Sequence, residues 1–294
     1  MDDQSVDTVT DSGFSEMESP ENKKKVNVFR EYVEMIIEVL VMVFFINSFL
    51  LQSQTVPTGS MEDNMLIGDH LLVNRVAYAS SINSWDRIVF PRLEVGRGMI
   101  VTFKGPPEIE KDYVKRVIAL PGETIRIEGR NVYVNGVLLD EPYAFFKGGI
   151  SIGGDSFPLK TPHILDAMGN ITYLPFYLLD KQGFIDVTRT RDFCNRFKDC
   201  VEIEKETGLP IFRVPEHYYF CMGDNRDNSY DCRYWGPVPE DYFLGQPWRI
   251  FWSYKSTTAD YLTPGFTHKI KDILSTFVHF FTRTRWDRTF KRFS

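Results

Sequence analysis

Histidine and cysteine are scarce in this chain, five and four of 294 residues, and neither falls into a metal-binding pattern. Cys194, Cys200, Cys221 and Cys232 form no C-x-x-C pair and no zinc spacing. Two readings stand for Cys194 and Cys200, a bond closing a short loop in an oxidising compartment or two free thiols. Cys221, inside the apolar run Tyr218–Met222, reads as a small core residue. None of His70, His163, His217, His268 and His279 sits in a motif, which argues against a Ser-His-Asp hydrolase. Dense basic stretches are lacking too, so a nucleic-acid partner is not expected. No repeat period is visible.

Charge is unevenly spread. Residues 1–22 contain seven acids and no base, whereas His268–Ser294 contains seven bases against Asp272 and Asp287. The net charge of −6 hides this polarity. An acidic solvated tail at one end and a basic membrane-surface segment at the other fit the pattern.

A single run has membrane length. Lys23, Lys24, Lys25 and Arg30 precede Val33–Leu51, nineteen residues that span roughly 28 Å as a helix. Glu34 and Glu38 lie one turn apart near the basic end, within reach of headgroups. Without that end only thirteen residues remain, the length of a signal-peptide core, but no small-x-small cleavage site follows. The expectation is one span over residues 31–51, with the basic side and residues 1–30 cytoplasmic and everything after it outside.

Beyond Leu51 the periodicity is that of strands. His70–Arg75, Met99–Phe103, Tyr113–Leu120, Thr124–Ile127, Val132–Val134, Tyr218–Met222 and Ile250–Trp252 are β-branched or aromatic. Gly105-Pro106-Pro107, Pro121-Gly122 and Asn135-Gly136 punctuate them. The predicted fold is mostly β: an antiparallel core from 52–140 and 212–266, with a smaller β-rich insertion at 141–211. An amphipathic helix is expected within the tail 267–294, from Ile270, Ile273, Leu274, Phe277, Val278 and Phe281 at helical spacing. It lies either on lipid or on the protein's own sheet.

Three segments carry candidate chemistry. In Val56-Pro57-Thr58-Gly59-Ser60-Met61, Pro57 and Gly59 force a tight turn that presents a hydroxyl beside free backbone N–H groups. In Tyr113-Val114-Lys115-Arg116, strand alternation puts Lys115 on the face of Tyr113, Val117 and Ala119. An amine on an apolar face loses solvation and becomes a usable base, whereas the Arg116 guanidinium stays protonated. The third segment, Gly223–Gly236, is dense in short polar residues. Asp231 and Arg233 are expected to pair across it, and Ser229 to hold the lysine. It is not a calcium loop: counted from Asp227, Cys232 and Val238 occupy the positions that need glycine and glutamate.

These segments, with Glu62–Asp69 and Gly98–Phe103, resemble those of bacterial type I signal peptidases, membrane-bound Ser-Lys endopeptidases. The resemblance covers most of the sheet and little of residues 141–211 or the tail. It implies Ser60 as nucleophile and Lys115 as general base. Thr58 would donate its hydroxyl, with the Ser60 N–H, to the oxyanion, Ser229 would orient the lysine, and Asp231 with Arg233 would brace the site. Pockets for small side chains would fall on Val56, Pro57, Met61, Met65, Tyr113 and Val114. Implied partners are preprotein signal peptides, membrane lipid and a nearby export translocon, at the inner (plasma) membrane, and no metal or cofactor is called for. Met99 replaces an acidic residue common in the family, and Cys232 stands where Ser or Gly is usual. The alternatives are a Ser-Lys peptidase dedicated to one substrate, or a tethered peptide-binding protein that does not cut.

Overall fold

The computed structural model describes residues 28–78, 93–105, 111–147, 156–158, 163–165, 171–173, 187–258, 261 and 275–293. The acidic N-terminal tail, Cys194's side chain and residues 262–274 of the expected C-terminal helix lie outside them.

Helix α1 runs over Val28–Phe45 and continues as a π-turn over Ile46–Leu50. No residue of α1 is buried, although every residue from Val39 to Phe45 is apolar. Among the described residues, Val28–Leu50 is the one helix with the length and composition to cross a membrane, 23 residues, or roughly 35 Å. The helical run therefore starts upstream of the expected 31–51, and Leu51 leaves it to open a strand. Arg75 secures that exit, its backbone N–H donating to the Leu50 carbonyl at 3.0 Å and its guanidinium to that of Ser48 at 3.1 Å.

The remainder is β. The larger sheet has seven strands: β1 (Leu51–Thr55), β2 (Asp69–Asn74), β3 (Ile100–Lys104), β4 (Asp112–Ala119), β13 (Tyr218–Met222), β14 (Val238–Pro239) and β15 (Phe243–Ser253). Their spatial order is β1-β2-β15-β3-β4-β13-β14, and neighbours are antiparallel. The long β15 bridges β2 and β3, with register shifts on both sides that bend it from one partner to the other. A smaller sheet orders β11 (Val201–Ile203), β12 (Pro210–Arg213), β5 (Thr124–Glu128), β6 (Asn131–Val134) and β7 (Val137–Leu138), with β8 (Ser156–Phe157) paired to β5. A hairpin of β9 (His163–Leu165) and β10 (Ile171–Tyr173) and a helix α2 (Val187–Phe197) complete this region.

The sheets do not divide at the expected residue 141. Strands β5, β6 and β7 of the smaller sheet all precede it, because the Pro121-Gly122 turn already redirects the chain after β4. The Gly122 N–H there donates to the Val214 carbonyl at 2.8 Å, tying the turn to the strand that returns. Nor are the cores separate. Val101, Phe103 and Val117 of the larger sheet share one buried cluster with Ile125, Val132 and Phe212 of the smaller. Phe157 joins them, its ring 4.9 Å from Phe220 and 5.7 Å from Phe212. A second cluster, on the other side of the larger sheet's first strands, packs Val56, Met61 and Met65 with Leu71, Val73, Ile100 and Ile250.

Downstream of residue 274, the short helix α4 (Phe280–Arg283) ends at Thr284 and the chain then follows β15. Arg285 N–H donates to the Ser253 carbonyl at 2.8 Å, and Ile250 N–H to that of Lys291 at 3.0 Å. This part of the basic tail rests on the protein.

Candidate active site

Ser60 sits in the middle of a 3-10 turn, Gly59–Met61, closed by Glu62 N–H donating to the Gly59 carbonyl at 3.2 Å. The turn is the tip of a loop between β1 and β2 whose base is sealed by Val56 N–H to the Asp69 carbonyl at 2.9 Å and Gly68 N–H to the Val56 carbonyl at 3.0 Å. Met61 and Met65, one turn apart, pin the loop into the second cluster. N–H groups at the start of so short a helix have no acceptor within it.

Strand β4 brings the lysine to this tip. Lys115 is 2% exposed, and its Nζ lies 2.6 Å from Ser60 Oγ. Burial is the main influence on the amine and draws its pKa down from 10.5 to about 8, helped by Arg233 and opposed by Asp231, Cys232 and Asp224. A lysine in this state can hold or release a proton near neutrality.

Asp231 and Arg233 pair within the polar loop. Asp231 is fully buried and caps helix α3 (Cys232–Trp235), accepting from Arg233 N–H at 3.2 Å and from its Nε at 2.8 Å. It also takes the Gly223 N–H at 3.0 Å. Arg233 Nη2 reaches the Arg226 carbonyl at 2.9 Å, so the guanidinium stitches the loop together. The Arg233 charge and its hydrogen bonds outweigh burial and hold the Asp231 carboxyl below its usual range.

One expected role differs in the structure. Ser229 Oγ is buried but has no hydrogen-bond partner among the described residues, so the orienting bond to the amine is not formed. The Lys115 amine is turned to Ser60 instead. Thr58 is exposed and extended, and its hydroxyl makes no capping bond to the turn. Of the expected pocket residues, Val56, Met61 and Met65 cluster together with Val114 against them, and Pro57 is half-buried beside them in sequence. Tyr113, on the opposite face of β4, packs instead with Phe103 and Trp235, ring centroids 6.3 and 4.9 Å away.

Asn225 carries a role that the sequence reading passed over. Its N–H donates to the Ser60 carbonyl and its Nδ2 to the Gly59 carbonyl, both at 3.1 Å. One residue, through its backbone N–H and its side chain, thus fixes the peptide planes on both sides of the serine. Asp224, next to it, is buried in a pair with Arg116 and accepts from Asn64 Nδ2 at 2.7 Å. Arg226, also buried, binds Glu141 through both terminal nitrogens. The only early signal was the density of Asp, Asn and Arg after an apolar strand.

His70 and His217 are engaged elsewhere. His70 Nδ1 lies 3.1 Å from Thr55 Oγ1 and its ring stacks on Trp252, while His217 pairs with Glu240. Cys200, Cys221 and Cys232 are free thiols. Cys232 is fully buried and its Sγ accepts the Cys221 N–H at 3.0 Å, which suits a small residue packed under the site. Among the described residues, no three His, Cys, Asp or Glu side chains converge as metal ligands.

A serine hydroxyl bonded to a buried, weakly basic amine, with loose backbone N–H groups at the same turn, is the equipment of an acyl-transfer hydrolase. Comparison with known proteins gives this class a family. The profile of the family described as signal peptidase, peptidase S26, matches residues 29–252. The chain is 31% identical over 242 residues to "Signal peptidase I" of Aquifex aeolicus (77% of this chain, 85% of that protein). It is 30% identical over 235 residues to that of Pseudomonas aeruginosa (76% and 72%), and 32% over 233 residues to that of Rickettsia typhi (76% and 80%). A solved signal peptidase I from Enterococcus faecalis aligns with 96% of its length and 52% of this chain, at 24% identity and a TM-score of 0.29. The chain belongs to the signal peptidase family, peptidase S26, and is a peptidase of that family.

Proposed function

We propose that this protein is a membrane-anchored serine endopeptidase that removes signal peptides from exported preproteins through a Ser60–Lys115 dyad. The observation that carries the reading is the 2.6 Å approach of Lys115 Nζ to Ser60 Oγ, made by an amine that burial has brought to a pKa of about 8. At pH 7 roughly a tenth of such lysines are neutral.

The neutral amine takes the Ser60 proton as Oγ attacks the scissile carbonyl. The Ser60 N–H and the Thr58 hydroxyl receive the developing oxyanion. As the tetrahedral intermediate collapses, the lysine ammonium protonates the leaving amine and the mature protein departs. Lys115 next accepts a proton from water as it attacks the acyl-enzyme, and returns that proton to Ser60 Oγ as the signal peptide is released. The substrate's small-x-small segment lies extended along the Ser60 turn, and strand addition supplies main-chain hydrogen bonds. Val56, Met61, Met65 and Val114, grouped in one apolar cluster, support shallow pockets for small side chains.

Residues 28–50 form the anchor in the inner (plasma) membrane. Lys23, Lys24, Lys25 and Arg30 keep the N-terminus cytoplasmic, which leaves the β domain on the extracytoplasmic side, near lipid and the export translocon. The test is cleavage of a preprotein by the detergent-solubilised full chain. Ser60→Ala and Lys115→Met each abolish cleavage while the fold persists, and normal processing by either variant refutes the dyad. A panel of unrelated preproteins separates a general processing enzyme from one dedicated to a single substrate.

A further inference from the structure

The chain beyond residue 252 lies outside the family match, yet its side chains reach the loop that carries the nucleophile. Arg288, 8% exposed, places Nη2 at 2.9 Å from the Asn64 carbonyl and 2.7 Å from Asp69 Oδ2, with Nε 3.4 Å from Oδ1. Arg285 donates from both terminal nitrogens to the Ile67 carbonyl, each at 3.1 Å. Asp69 is completely buried, and its remaining acceptor sites take Ser253 Oγ at 2.6 Å and the Leu66 N–H at 2.8 Å. A buried carboxylate is tolerable only when it is met in this way.

Asn64 links this centre to the reacting group. Its carbonyl is held by Arg288, and its side-chain Nδ2 donates to Asp224 Oδ2 at 2.7 Å. Asp224 precedes Asn225, which holds the carbonyls of Gly59 and Ser60. The segment from Ser60 to Asp69 is thereby clamped at two buried acid–arginine centres, Asp224 with Arg116 and Asp69 with Arg288. The tail also places Phe293 against the cluster of Val56, Met61 and Met65.

We infer that Arg288 of the C-terminal tail is a positioning residue for Ser60, fixing the loop that sets the nucleophile against Lys115. The inference rests on Ser60 being the nucleophile. A planar fork is required, because one guanidinium must serve a backbone carbonyl and both oxygens of a carboxylate together. The ammonium of a lysine meets that geometry poorly. Displacement of a reacting atom by about 1 Å is enough to cost on the order of 100-fold in rate.

The experiment uses the full-length chain in detergent and measures preprotein cleavage per active site, with sites counted by a β-lactam-type acylating inhibitor. Arg288→Met is expected to lower kcat per titrated site on the order of 10- to 100-fold with little change in KM. Arg288→Lys is expected to recover only part of it. Because Arg288→Met strands the Asp69 charge, the double variant Asp69→Asn/Arg288→Met removes that burden, and it should fold while keeping the low per-site kcat. A purely structural role predicts fewer titratable sites with an unchanged rate at each, and that result overturns the inference. Ser60→Ala is run alongside. Activity in Ser60→Ala defeats the dyad itself, whereas an inactive Ser60→Ala with normal per-site rates in both Arg288 variants defeats only the role of the tail.

Discussion

Arg116 grips Asp224 through both carboxylate oxygens, Nε to Oδ1 at 2.8 Å and Nη2 to Oδ2 at 2.7 Å, one residue along β4 from the amine of Lys115. Its Nη1 donates to the Gly98 carbonyl at 2.7 Å, and the guanidinium lies 4.1 Å from the centre of the Tyr143 ring. The pair is buried on both sides. Removing one member strands the other, so Asp224→Asn is expected to cost about 3–5 kcal/mol. Urea unfolding midpoints measure this directly. A loss below about 1 kcal/mol would mean that water already reaches the pair.

Activity should follow the ionisation of Lys115. Its charged form is disfavoured chiefly by burial, with a pKa of about 8. The base is therefore protonated and idle at low pH, and kcat/KM rises tenfold per pH unit on the acid side before levelling near pH 8. A preprotein cleavage series from pH 5 to 10 tests the shape. An acid limb centred near the ordinary lysine value of 10.5 is incompatible with a desolvated base.

The same shift has a consequence for stability, with a definite sign. In the unfolded chain the amine titrates near 10.5, and in the folded protein near 8. Above the higher value both states are neutral and nothing is lost. As pH falls from 10.5 towards 8 the unfolded chain gains a proton that the folded one resists, and the full penalty is present below 8. Lys115→Met removes the penalty. At pH 7 this inactive variant is expected to be more stable by about 1–3 kcal/mol, a bounded gain because Asp231 loses a nearby cation. Denaturation of both proteins at pH 7 and pH 11 decides it: the gap should close at the higher pH, and an equal gap at both rules the linkage out.

Apolar alternation announced the strands that line the site. Tyr218–Met222 matches β13, and the expected Tyr113–Leu120 is displaced from β4 by a single residue. Strand β1 escaped notice because Gln52, Ser53, Gln54 and Thr55 form an edge, where side chains need not be apolar. Ser60 and Lys115 stood out because each sits in a local pattern, a turn for one and a strand face for the other. Arg116 with Asp224 and Arg288 with Asp69 did not, since their partners lie 108 and 219 positions away. Such pairs are chosen by tertiary packing, and a single chain of letters offers no register for them. The same holds for the division between the sheets, where a turn at Gly122, not a change in composition, moves the chain from one to the other.

Gly223 tests how closely the polar loop must approach the nucleophile. A β-carbon there would press on the Ser229 side chain and come within 2.6 Å of the Ser60 carbonyl oxygen. Ser229 can turn aside, but the carbonyl is held by Asn225 and cannot. Gly223→Ala should therefore push the Ser60 peptide away from its anchor and lower the cleavage rate on the order of 100-fold. Adding Ser229→Gly relieves the side-chain clash and leaves the backbone one. The double variant should consequently stay slow in a preprotein assay normalised to titrated sites. Recovery of the parental rate in the double variant would place the obstruction at Ser229 and release the Ser60 carbonyl from any part in it.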